Sequence, residues 1–141
     1  MTIERRIDIA APAARVWEFM SDVERWPEWT SSVTGVELLE GEPLRVGSRV
    51  RIRQPRLPTA IWTVTALDPG RSFRWQNTSP GVRSVADHRV EALGNDGARV
   101  TLSVEWTGPL SPLLRLLFGR LARRYVQMEA KGLKRRSEAA G

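Results

Sequence analysis

The stretch Val-Arg-Ser-Val-Ala-Asp-His-Arg-Val-Glu-Ala-Leu-Gly-Asn-Asp-Gly-Ala-Arg-Val-Thr-Leu-Ser-Val-Glu-Trp, residues 82–106, decides the fold. In its second half Val100, Leu102, Val104 and Trp106 alternate with Thr101, Ser103, Glu105 and Thr107. That is the period of a strand with one apolar and one wet face. In its first half Val82, Ser84, Ala86, His88 and Val90 share one face. Gly94-Asn95-Asp96-Gly97 separates the runs with the residue types that hairpin turns need. The stretch therefore predicts an antiparallel hairpin.

The same punctuation recurs toward the N-terminus. Residues 72–77 are followed by Pro80-Gly81, 60–67 by Asp68-Pro69-Gly70, 48–54 by Pro55 and Pro58, and 33–39 by Gly41 and Pro43. Val50, Ile52 and Gln54 face one way, and Arg49, Arg51 and Arg53 the other. The result is an antiparallel meander. Ahead of it, Ile3, Ile7 and Ile9 alternate with polar residues as a first strand, and Pro12 suits the first turn of a helix. Val16, Phe19 and Met20 recur at helical spacing, with Trp17 beside them. Asp22 can cap a second helix, which Pro27 in Trp26-Pro27-Glu28-Trp29 keeps short.

After Gly108-Pro109 a helix is expected over about 111–136. Leu113, Leu114, Leu117, Phe118, Leu121, Tyr125 and Met128 form its apolar stripe. Sheet face and helix stripe should cover one another in an α+β domain spanning 1–137, with 138–141 as a frayed tail.

Composition narrows the chemistry. The 141 residues include no cysteine, which excludes a disulfide scaffold, a thiolate zinc site and a cysteine nucleophile. His88 is the only histidine, so a His-rich metal site is excluded, and no metal or cofactor is expected. The net charge of +6 suggests a basic protein, but residues 115–136 carry eight Lys and Arg against Glu129 alone. The rest of the chain is near neutral. No apolar run of signal-peptide length follows the N-terminus, so a cytoplasmic location is expected.

Several ordered segments carry a resemblance. Residues 7–17 (Ile-Asp-Ile-Ala-Ala-Pro-Ala-Ala-Arg-Val-Trp) lead to Asp22 and Trp26-Pro27-Glu28-Trp29. They are followed by Val46-Gly47-Ser48-Arg49-Val50, by 68–75 (Asp-Pro-Gly-Arg-Ser-Phe-Arg-Trp), by Asp87-His88-Arg89-Val90 and by Gly97-Ala98-Arg99-Val100-Thr101. As an ordered set covering nearly the whole chain, this resembles the START-like (SRPBCC) superfamily, in its polyketide cyclase/dehydrase and lipid transport branch. The resemblance implies a helix-grip fold, a curved antiparallel sheet of six to seven strands around a long C-terminal helix, with two short helices after the first strand. It also implies a cavity between sheet and helix. Members bind lipids, polyketides, sterols or quinones, a minority catalyse aromatisation or cyclisation, and others engage ribosomal subunits. Fold alone does not choose among these.

The residues do part of the choosing. Trp62, Trp75 and Trp106 share the inward parity with Val64, Phe73 and Val104 and can wall a site for a flat or greasy ligand. The expected ligand-binding set is Trp29, Ile52, Gln54, Trp62, Trp75, Ser84, His88, Trp106, Leu117, Leu121, Tyr125 and Met128, gated by the Trp26–Trp29 segment. His88 reads either as a hydrogen-bonded packing residue or as a proton-transfer group. Tyr125 adds a hydroxyl to an apolar stripe and needs a partner.

The carboxylates Asp87, Glu91 and Glu105 fall on wet faces, and Glu18 and Glu24 on the early helices, so no inward pair is read. Aromatase members of the resembled superfamily use pocket arginines, whereas Arg49, Arg51, Arg53, Arg83 and Arg89 read as outward. Three functions follow: a binder of a small hydrophobic ligand, an aromatase/cyclase using His88 and Tyr125, or a binder of RNA or anionic membrane through Arg120, Arg123, Arg124, Lys131 and Lys134. Monomer and homodimer both remain open.

Overall fold

A computed structural model describes residues 2–140. Strand β1 (Thr2–Ile9) is followed by helix α1 (Ala13–Ser21) and a 3-10 turn of helix (Val23–Glu28). Strands β2 (Gly35–Leu38), β3 (Arg49–Arg53), β4 (Ala60–Asp68), β5 (Ser72–Ser79), β6 (Val82–Leu93) and β7 (Gly97–Thr107) come next, and helix α2 (Ser111–Ala139) closes the chain. All seven strands form one antiparallel sheet in the order β1-β7-β6-β5-β4-β3-β2. This is the expected helix-grip architecture.

The residue 82–106 hairpin pairs in the register its pattern requires. His88 lies opposite Leu102 and Ala86 opposite Val104, so the apolar faces of β6 and β7 coincide. One irregularity matters for the core: the register of β4 against β5 shifts between Val64 and Ala66. An extra residue at a bulge flips the parity of the strand beyond it. Leu67 thereby joins Trp62 and Val64 on the inner face and meets Phe73.

The early helices are held by backbone and indole bonds. Pro12 precedes α1 and its carbonyl accepts from Arg15 and Val16 N–H at 3.0 and 3.2 Å. Asp22 makes no side-chain cap to the 3-10 helix, contrary to expectation; its carboxylate pairs with Arg25 at 3.4 Å instead. Trp26 Nε1 donates to the Met20 carbonyl at 3.1 Å, tying the 3-10 helix to the end of α1.

Helix α2 enters through a tight passage. Gly108 has φ +107, and a Cβ there would fall 2.6 Å from the Gly81 carbonyl oxygen. Only glycine fits such a backbone approach. Further along, a Cβ at Gly132 would overlap the Trp29 carbonyl oxygen, so the absent side chain lets α2 settle onto the segment after the 3-10 helix.

The buried side of α2 differs from the expected stripe. It consists of Gly119, Tyr125, Val126, Ala130, Gly132, Leu133 and Ser137, with Leu114, Phe118 and Ala122 partly covered. At 3.6 residues per turn this arc is rotated by roughly 100° from the stripe read in the sequence. Leu113 and Leu117 accordingly lie outside, 51% and 63% exposed. The helix also runs past the expected boundary, to Ala139. Glu138 accepts from the Ala10 N–H at 2.8 Å, so the tail expected from 138 is ordered into the domain at its start. Gly141 lies outside the described residues.

Candidate functional site

The inner face of the grip is built around His88. Its ring is buried, stacked on Phe73 at 4.2 Å and 10°, with Trp75 edge-on at 5.1 Å and Trp26 tilted at 5.5 Å. Trp62 meets Trp75 at 6.2 Å, and Trp29 meets Trp26 at 5.6 Å. The inner end of the grip is thus filled by rings. Trp26 and Trp29, expected to gate a cavity, are 2% and 8% exposed and pack into the core instead.

The partner of His88 comes from α2. Glu129 Oε1 lies 3.6 Å from His88 Nε2, and Nδ1 faces the Phe73 carbonyl at 3.4 Å. Burial disfavours charge on both groups. It pushes the Glu129 carboxyl up to about 8 and the His88 imidazole down to about 4. The hydrogen bond to Phe73 and the nearby Asp87 charge pull the imidazole the other way without reversing the shift. Near neutrality, then, both groups are uncharged. Glu129 keeps 15% of its side chain accessible and His88 5%, so the carboxyl is the more accessible member of the pair.

In the sequence Glu129 reads as one acid in a basic helix. A signal was present. Glu129 stands four residues after Tyr125 and four before Leu133, one helical turn on either side. Tyr125, expected beside His88, is buried but turns its hydroxyl away and donates to the Pro55 carbonyl. The β3–β4 loop leaves that carbonyl without a strand partner, and the phenol satisfies it.

The other expected residues divide. Ile52, Ser84, Trp75 and Trp106 are buried on the inner face, and Trp62 is half-buried. Gln54 is half-buried but its amide donates to the Ser32 carbonyl at 3.3 Å. Leu121 and Met128 are half-buried beside the covered arc, whereas Leu117 points into solvent and lines nothing on the inner face. Trp29 Nε1 is buried without a hydrogen-bond partner among the described residues. Arg49, Arg53, Arg83 and Arg89 are exposed and Arg51 pairs outward with Glu37 at 2.7 Å, so no arginine of the sheet reaches the pair.

A curved sheet gripping a long helix is the helix-grip architecture, and here a histidine and a carboxyl meet between the two layers. Residues 1–138 match the family described as polyketide cyclase/dehydrase and lipid transport, and the chain belongs to that family. A protein of Streptomyces halstedii described as a proposed polyketide cyclase is 33% identical over 112 residues, covering 77% of this chain and 88% of its own. The Zhui aromatase/cyclase of Streptomyces sp. R1128 superposes with a TM-score of 0.81 at 20% identity, over 98% of this chain and 93% of that one. A START superfamily protein of Mycobacterium smegmatis superposes at 0.75 with 19% identity, over 99% of both chains. These two structural likenesses bear on the fold alone.

Proposed function

We propose that the protein binds a flat, oxygen-bearing apolar ligand of the polyketide class between the sheet and α2, and promotes its cyclisation or dehydration with His88 and Glu129. The observation that supports this is the pair itself: a carboxyl and an imidazole 3.6 Å apart in an aromatic surround, where burial disfavours charge on both. One group can give a proton while the other takes one. A poly-β-ketone needs both.

In cyclisation, His88 accepts the α-proton of one ketone unit, and the carbanion forms a carbon–carbon bond to a second carbonyl carbon. That carbonyl oxygen takes the Glu129 proton and becomes a hydroxyl. In the subsequent dehydration, base removes a further α-proton and the hydroxyl leaves as water with the acid's proton. The imidazolium returns its proton to the carboxylate after each step, so no proton is gained or lost by the pair. Such paired transfer contributes roughly 10²–10⁴-fold each in favourable sites. Trp62, half-buried at the edge of the ring cluster, supplies a face against which an extended chain of ketones can be folded.

The test reads products and binding separately. A minimal polyketide synthase releasing a poly-β-ketone is incubated with wild-type protein, Glu129→Gln and His88→Phe. The phenyl ring keeps the stack on Phe73 and removes the base. Wild type should shift the product distribution, and both variants should return it to the spontaneous mixture. Binding of a hydroxylated anthraquinone, followed by tryptophan fluorescence, should survive in Glu129→Gln. Wild-type products from both variants overturn the catalytic reading and leave ligand carriage.

A further inference from the structure

The outward side of α2 carries two groups of residues in succession along its axis. At its beginning Leu113, Leu116 and Leu117 are 51%, 80% and 63% exposed, and Leu110 just ahead is 48% exposed. Arg120, Arg123 and Arg124 come after them, all exposed. At 1.5 Å per residue this basic collar stands about 6–10 Å behind the leucines. Arg115 and Arg120 also line an open groove of ≈ 590 Å³ with Ser111, Pro112 and Leu116.

From Leu110 to Met128 the chain contains no acid. Arg115, Arg120, Arg123 and Arg124 have no ion-pair partner among the described residues. A solvated flank accounts for the arginines but leaves four clustered leucines in water. Nucleic acid gives the leucines nothing to contact. The sheet cannot cover them, because it holds the opposite side of the helix. A bilayer surface accommodates both groups: apolar side chains enter the boundary between headgroups and acyl chains, and guanidinium groups meet lipid phosphates.

We propose that the N-terminal end of α2 docks the protein on anionic lipid bilayers, with Leu110, Leu113, Leu116 and Leu117 inserted and the arginine collar at the headgroups. Leu114 and Phe118, on the same turns, pack toward the sheet. Docking therefore sets one end of the grip against a phase in which apolar ligands dissolve. This surface is separate from the His88–Glu129 pair, and either reading can fail without the other.

Flotation of the full-length protein tests it, using vesicles of phosphatidylcholine alone or with about 30% phosphatidylglycerol. Wild type should float with the anionic vesicles only, and less as salt rises. The double variant Leu113→Glu/Leu116→Glu should lose at least about tenfold in affinity, from the apolar burial it forgoes. Arg120→Gln/Arg124→Gln should lose about 25-fold, roughly fivefold for each basic residue. Glu129→Gln should float as wild type, and circular dichroism checks that each variant is folded. The proposal fails if wild type does not float with anionic vesicles or if the leucine variant floats equally well. It also fails if light scattering shows a wild-type dimer that the leucine variant dissociates, which assigns the patch to a second copy.

Discussion

The His88–Glu129 pair should leave its mark on stability as pH changes, because folding moves both groups. In the unfolded chain the Glu129 carboxyl titrates near 4.5, and in the folded protein at about 8. Between those values the folded state holds a proton that the unfolded state has lost, so folding weakens as pH rises. The whole shift corresponds to about 5 kcal/mol at 1.36 kcal/mol per pH unit. His88 works in the opposite sense. Its pKa falls from 6.5 to about 4, so the unfolded state holds the extra proton in that window and stability rises with pH there. The two slopes offset one another between pH 4.5 and 6.5.

From pH 6.5 to 8 only the Glu129 slope remains, worth about 2 kcal/mol. For a chain of this length that is a fall in Tm of roughly 6 °C. Urea and thermal unfolding at pH 5.5, 6.5, 7.5 and 8.5 should show this decline in wild type. Glu129→Gln, which cannot ionise, should remove it and be the more stable protein at pH 8.5. An equal decline in Glu129→Gln would refute the assignment of the proton to this carboxyl, as would a flat wild-type profile over the same window.

Other perturbations have equally definite outcomes. Gly132→Ala adds helix propensity worth about 1 kcal/mol but drives a methyl into the Trp29 carbonyl, so a net loss of at least about 2 kcal/mol is expected in urea unfolding. Tyr125→Phe removes the bond to the Pro55 carbonyl and should cost about 1 kcal/mol. Amide exchange at Arg56, Leu57 and Thr59 should quicken in that variant, and unchanged exchange would show that the phenol does not hold the loop. Leu116→Glu alone, at a site 80% exposed, should change unfolding free energy by no more than about 0.5 kcal/mol while weakening capture by anionic vesicles.

The sheet was legible because its signals are local. Alternation in residues 82–106 and the turn residues between runs place the strands, and the inward parity of Trp62, Trp75, His88 and Trp106 comes with them. Helix α2 was legible in extent but not in rotation. Its buried arc is marked by Gly119, Ala122, Ala130, Gly132 and Ser137, small residues that allow close approach, while Leu113, Leu116 and Leu117 lie outside. A hydropathy stripe weighs leucine above glycine and so selects the wrong side. The same error hid Glu129, since a carboxyl among arginines reads as solvated until the helix is turned. Tyr125 was placed inward correctly, but its partner sits in a loop that no periodicity describes.

The fastening of α2 is lopsided. Its last turns are tied down by Lys134 to the Asp8 carbonyl at 3.1 Å, by Glu138 to the Ala10 N–H and by Arg136 over the Phe19 ring at 4.5 Å. Its first turns hold by Leu114 and Phe118, each only partly buried. Mutational drift therefore falls unevenly on the helix. Its exposed early positions, Leu113, Leu116 and Leu117 among them, can be substituted at little cost to folding, as the buried positions of the last turns cannot. Glu129 stands with the later turns, one turn before the fully buried Leu133. One helix thereby carries both a stretch of surface free to vary and the turns that hold the His88–Glu129 pair in place.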